Sequence, residues 1–99
     1  MSALEGIAQT WLNHLAVERG VSANTLSNYR RDVRRYLAWL GENGVEDLQS
    51  VTRPMVEAYL KDLRSHMAVS SANRALIVAR GLHKFAVSEG VVDVDVAVE

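Results

Sequence analysis

Apolar residues recur at helical spacing four times along this chain. Leu4, Ile7, Ala8, Trp11, Leu12 and Leu15 follow the i, i+3, i+4, i+7 rhythm of one buried stripe, predicting a first helix over about Ala3–Arg19. Ser2 is placed to cap its start, and Gly20 to end it with positive φ. Ser22 caps a second, longer helix whose stripe is Leu26, Tyr29, Val33, Tyr36, Leu37 and Leu40. Gly41 and Gly44 bracket its end, and Glu46–Val51 reads as a connector. Thr52 caps a third helix, with Pro54 acceptable in a first turn that needs no intrahelical donor. Its stripe of Val56, Tyr59, Leu60 and Leu63 fades near His66. The fourth helix is expected over Ser71–Ser88, capped by Ser70 or Ser71, with Ala72, Ala75, Leu76, Ala79, Leu82, Phe85 and Ala86 inward and Gly90 as its stop. The closing VVDVDVAVE alternates as a strand would. With no partner strand in the chain it is expected to be an extended linker or a disordered end.

This pattern is all-α, and 99 residues of which 48% are apolar suffice for one core. No apolar run approaches the ~18 residues of a membrane span. The opening MSALEGIAQTWLNHL lacks the basic stretch and cleavage site of a signal peptide, and there is no cysteine. A cytoplasmic protein without disulfides, thiolate metal sites, cofactors or a membrane partner is the expectation.

Charge changes the picture more than composition does. The chain has a formal net charge of −1, yet Ser22–Leu40 holds Arg30, Arg31, Arg34 and Arg35 against the single acid Asp32. Ser71–Ser88 adds Arg74, Arg80 and Lys84 with no acid. Positive charge gathered on two helices of a near-neutral chain gives a directed field, and a polyanion suits it. On the second helix the core stripe turns Asn24, Ser27, Asn28, Arg31 and Arg35 to the opposite side, with Arg34 flanking and Arg30 nearer the core boundary. Guanidinium groups bind phosphate in pairs of hydrogen bonds and read guanine, asparagine pairs with adenine, and short hydroxyls reach phosphate. On the fourth helix Ser70, Ser71, Asn73 and Arg74 crowd the first turns, where backbone N–H groups favour an anion. Arg80 and Lys84 continue along that side.

Catalytic chemistry has no comparable pattern. The histidines, His14, His66 and His83, stand apart in sequence and are expected at the surface or rim. Asp93 and Asp95 in the tail read as solubilising. Tyr29, Tyr36 and Tyr59 fall on apolar faces, and Trp11 and Trp39 read as packing residues with N–H groups at the rim. No GxSxG, Walker A or GxGxxG motif occurs.

The runs SANTLSNYRRDVRRYLAWL, LQSVTRPMVEAYLKDL and SSANRALIVARGLHKFAVSEG resemble the N-terminal core-binding domain of tyrosine recombinases, of the Xer type. The likeness covers about Leu4–Val92. It rests on the NTL and YRRD elements of the second helix together with Arg74, Leu76, Arg80, Leu82, Phe85, Glu89 and Gly90. The resemblance implies a four- to five-helix SAM-like bundle forming half of a clamp around double-stranded DNA, with the second and fourth helices against the major groove. It places Thr25, Asn28, Arg31 and Arg34 at DNA-facing positions of one helix, and Ser71, Asn73 and Arg74 at those opening the other. It also implies that the first helix meets neighbouring, XerC-like recombinase subunits. No HxxR occurs, since Val17, Val69 and Ala86 stand three places after the histidines, and the family's catalytic residues belong to a further domain. The proline usual after the EG turn is missing too.

The expected function is therefore the DNA-binding domain of a site-specific recombinase acting in chromosome dimer resolution. Residues 1–90 would form the domain and 91–99 begin an interdomain linker. This fragment would not be an enzyme by itself. Arg31, Arg34 and Arg74 would anchor phosphates, Asn28 and Asn73 would read bases, and Arg35, Arg80 and Lys84 would extend the basic face. The alternatives are the core-binding domain of a phage or transposon integrase, or a helical module docking an acidic partner protein through Ile77 and Val78. A free-standing helix-turn-helix regulator fits the long second helix and the connector poorly.

Overall fold

Each apolar stripe becomes one helix of an all-α bundle. The computed structural model describes residues 2–98. It contains α1 (Ala3–Val17), α2 (Ala23–Glu42), a single 3-10 turn at Leu48–Ser50, α3 (Arg53–His66) and α4 (Val69–Ser88), with no strand among the described residues. The caps of the first three helices are those the sequence specifies. Side chains of Ser2, Ser22 and Thr52 accept from the backbone N–H of Glu5, Thr25 and Met55 respectively. Gly20 has the positive φ that its place after α1 demands.

α4 is the central element and packs against each of the other three helices. Its inner stripe is Ala72, Ala75, Ala79, Leu82 and Ala86, all at most 1% exposed. Alanines at these places let neighbouring helices approach closely, while Trp11, Tyr36, Tyr59, Leu40 and Leu63 fill the space from α1, α2 and α3. Between α2 and α3 the connector is tied down. Asp47 caps the 3-10 turn, and Val45, Leu48 and Val51 are buried.

Four expectations are corrected. Helix α4 begins at Val69, with Ala68 at its N-cap and no side-chain cap, so Ser70 and Ser71 lie inside its first turn. Only Met67 and Ala68 separate it from α3, and Ala68 is already extended there. The short link, rather than a serine, sets the start. His83 is not at the rim but buried, with its Nε2 2.7 Å from the Tyr36 hydroxyl. Val78 is buried as well, leaving Ile77 as the exposed member of that pair.

The tail, finally, is neither strand nor loose end across 91–98. Gly90, at φ 73°, closes a Schellman turn in which the N–H groups of Val91 and Gly90 donate to the carbonyls of Ala86 and Val87. The chain then folds back over α4. Val92 and Ala97 are buried, Asp95 accepts from the Ala97 N–H, and Arg80 Nε donates to the Ala97 carbonyl. Glu99 lies outside the described residues.

Candidate nucleic-acid interface

On α2, Thr25, Asn28, Asp32 and Arg35 recur at three- and four-residue intervals and so share one strip, with Arg31 beside it. Thr25 and Arg31 are exposed, and Asn28 and Arg35 half-exposed. Asp32 alone is sealed from solvent. It stands three residues after Tyr29 and four before Tyr36, at core spacing, and faces α4.

Its two oxygens are divided between the basic helices. Oδ1 accepts from Arg35 Nη1 at 2.8 Å within α2, and Oδ2 accepts from Arg74 Nε at 3.1 Å across to α4. The Arg35 side chain is 32% exposed and that of Arg74 46%, so both side chains that hold the buried carboxylate stay partly in solvent. Asn73, Ile77 and Lys84 continue the exposed side of α4, and Ser71 is half-buried at its start. The structure thus brings Arg35 and Arg74 onto one carboxylate, on the α2 strip that also carries Thr25 and Asn28 with Arg31 beside it, using a side chain that reads in the sequence only as a counter-charge.

Two sequence-selected residues lie elsewhere. Arg34 stands roughly 160° around α2 from Asp32 at 3.6 residues per turn. With Arg30 it lines a groove of about 900 Å³ between α1 and α2, beside Leu4, Leu12 and Leu37. Arg80 is half-buried and holds the tail.

Beside Asp32 and Arg35 lies an aromatic layer. The Tyr36 and Tyr59 rings are 4.8 Å apart and the Trp39 and Tyr59 rings 5.3 Å. Burial pushes both tyrosine hydroxyls well above their ordinary pKa; the Tyr59 hydroxyl is also lowered by Arg35 and raised by Asp32 and Asp62. Burial holds His83 below its usual value, partly offset by Asp95. Tyr36 and His83 therefore share a neutral hydrogen bond. The Tyr59 hydroxyl is buried without a hydrogen-bond partner. Among the described residues no group of three or more His, Cys, Asp or Glu is placed to hold a metal ion, and no helix is long and apolar enough to cross a membrane.

An all-α, SAM-like bundle with its basic side chains concentrated on two packed helices is the class this architecture defines. The sequence model described as "Phage integrase, N-terminal SAM-like domain" matches residues 8–90, and the chain belongs to that family. It is 60% identical over 99 residues to the tyrosine recombinase XerD of Corynebacterium glutamicum, covering 94% of this chain and 33% of that protein. Against the XerD of Mycobacterium tuberculosis the identity is 48%, covering 90% and 31% respectively. A tyrosine recombinase XerC of Xylella fastidiosa is 30% identical, over 92% of this chain and 31% of the relative. The chain thus spans about a third of the length of these curated relatives. No solved structure matches it significantly.

Proposed function

We propose that this chain is the DNA-binding core domain of a Xer-type, site-specific tyrosine recombinase, gripping duplex DNA with α2 and α4. The observation that supports the reading is the packing of the two basic helices, with Arg35 of α2 and Arg74 of α4 held on the same carboxylate. Arg31, Arg35, Arg74 and Lys84 would meet phosphates, and Asn28 and Asn73 base edges, in a major groove wide enough to admit a helix. Arg34 and Arg80 take part less directly on this reading, since one lines the α1–α2 groove and the other holds the tail. Ser71 lies in the uncapped first turn of α4, whose N–H groups favour a phosphate.

The chemistry of cutting and rejoining belongs to a further domain of a longer protein, as the length of the relatives supports, and residues 91–99 lead toward it. The proposed setting is chromosome dimer resolution in the cytoplasm, with XerC-like subunits as partners.

The test is fluorescence anisotropy of this domain on a Xer-type recombination-site duplex and a scrambled duplex at two salt concentrations. Binding should be salt-sensitive and tighter on the site duplex. Arg31→Ala combined with Lys84→Ala should weaken it and lower the slope of log K against log salt by about 2, one for each phosphate no longer neutralised. These two are the cleaner choice, because both are exposed and neither is a partner of Asp32. Absence of binding at low salt would sink the DNA reading and favour docking to an acidic protein.

A further inference from the structure

A carboxylate sealed inside a basic helix needs a physical reason. Taking Asp32 out of water carries a desolvation penalty, and a well-packed apolar residue there would serve stability as well or better. What an apolar residue would not do is fix two guanidinium groups. Asp32 is 0% exposed, and it takes one hydrogen bond from Arg35 of α2 and one from Arg74 of α4, while both arginines keep about a third to a half of their side-chain surface in solvent. Each arginine has five N–H donors, and the contact to Asp32 uses Nη1 in one and Nε in the other.

We infer that Asp32 is a positioning residue for DNA binding: it anchors Arg35 and Arg74 from beneath, so that their guanidinium groups meet the backbone phosphates already ordered and in register across the two helices. The inference rests on the DNA reading above. Long, freely rotating arginines lose rotamer freedom when they bind, and side chains pinned beforehand have lost it already. The anchor also couples the helices, since the carboxylate that orients Arg35 fixes the position of Arg74 relative to it.

Asp32→Asn tests this by the sign of its effect. The substitution is nearly isosteric and makes the domain more positive by one charge. If Asp32 were only a counter-charge, binding to any duplex would tighten. If it positions the arginines, affinity for the site duplex falls by roughly tenfold despite the added charge, as expected when two rotamer-rich side chains must be ordered on binding. Titrations are run well below the melting transition of each variant, checked by circular dichroism, so that folded fractions match. Should Asp32→Asn not fold, Arg74→Lys supplies the same test. Arg35 still neutralises Asp32 in that variant, and the cation count is kept. Positioning then predicts weaker binding at an unchanged salt slope, because a lysine still displaces one counterion but lacks the fork that reaches carboxylate and phosphate together. Equal or tighter binding by Asp32→Asn, or wild-type affinity in Arg74→Lys, overturns the proposal while wild-type binding keeps the DNA reading intact. Wild-type protein that binds neither duplex overturns both.

Discussion

Gly81 lies in the middle of α4, where helix propensity alone says that alanine would be better by about 1 kcal/mol. The structure reverses the sign. A Cβ built on Gly81 would stand 2.7 Å from Trp11 Cζ2 and 3.1 Å from Cη2, inside van der Waals contact. Trp11 has little room to yield: it is 6% exposed and its ring stacks on Tyr29 with centroids 5.9 Å apart. Overpacking of this kind costs about 1–3 kcal/mol. Set against the propensity gain, Gly81→Ala should destabilise by about 1 kcal/mol, which lowers Tm by about 4–8 °C in a domain of this size. The assay is thermal and urea unfolding followed by far-UV circular dichroism. The same change in a Trp11→Phe background should be neutral or stabilising, because the shorter ring withdraws the clashing atoms, and the two backgrounds form a double-mutant cycle with a coupling of about 1–3 kcal/mol. A higher Tm for Gly81→Ala in the wild-type background, or no coupling to Trp11, would refute the argument.

Two further predictions concern the aromatic layer. Tyr36→Phe should destabilise by about 1–2 kcal/mol because it strands the buried His83 Nε2, whereas Tyr59→Phe removes a hydroxyl with no partner and should be neutral or stabilising; urea midpoints of the two variants decide it, and equal losses would contradict the hydrogen-bond assignment. His83 makes stability pH-dependent. Its folded pKa lies below the unfolded value of about 6.5, so its contribution is present above that pH and is lost as pH falls toward the folded value. The loss should reach up to about 1.4 kcal/mol per pH unit, and His83→Gln should flatten it. Stability that rises on acidification from pH 7 to 5.5 would count against this account.

Much of the fold is legible because its signals are local. Periodicity locates all four helices, and Ser2, Ser22 and Thr52 announce three starts, since a cap is read within one turn. The start of α4 is misplaced from sequence because it depends on the two-residue link to α3, a constraint that no cap residue advertises. The basic character of α2 and α4 is equally plain, being a matter of composition along each helix.

Contacts between residues distant in sequence are fixed by the packing of the helices. Asp32 meets Arg74 across 42 positions and Tyr36 meets His83 across 47. The lone acid at core spacing between Tyr29 and Tyr36 is the available hint of burial, but spacing does not name its partner on α4. Composition likewise groups Arg34 and Arg80 with the other basic residues. The packed helices turn Arg34 toward the α1–α2 groove and give Arg80 the carbonyl of Ala97 to hold. The chain by itself thus determined which helices form and which carry positive charge, because both are properties of a few consecutive turns. Which of those charges are buried, paired or presented together depended on how the helices pack, because burial and ion pairing are set by neighbours that only folding brings into contact.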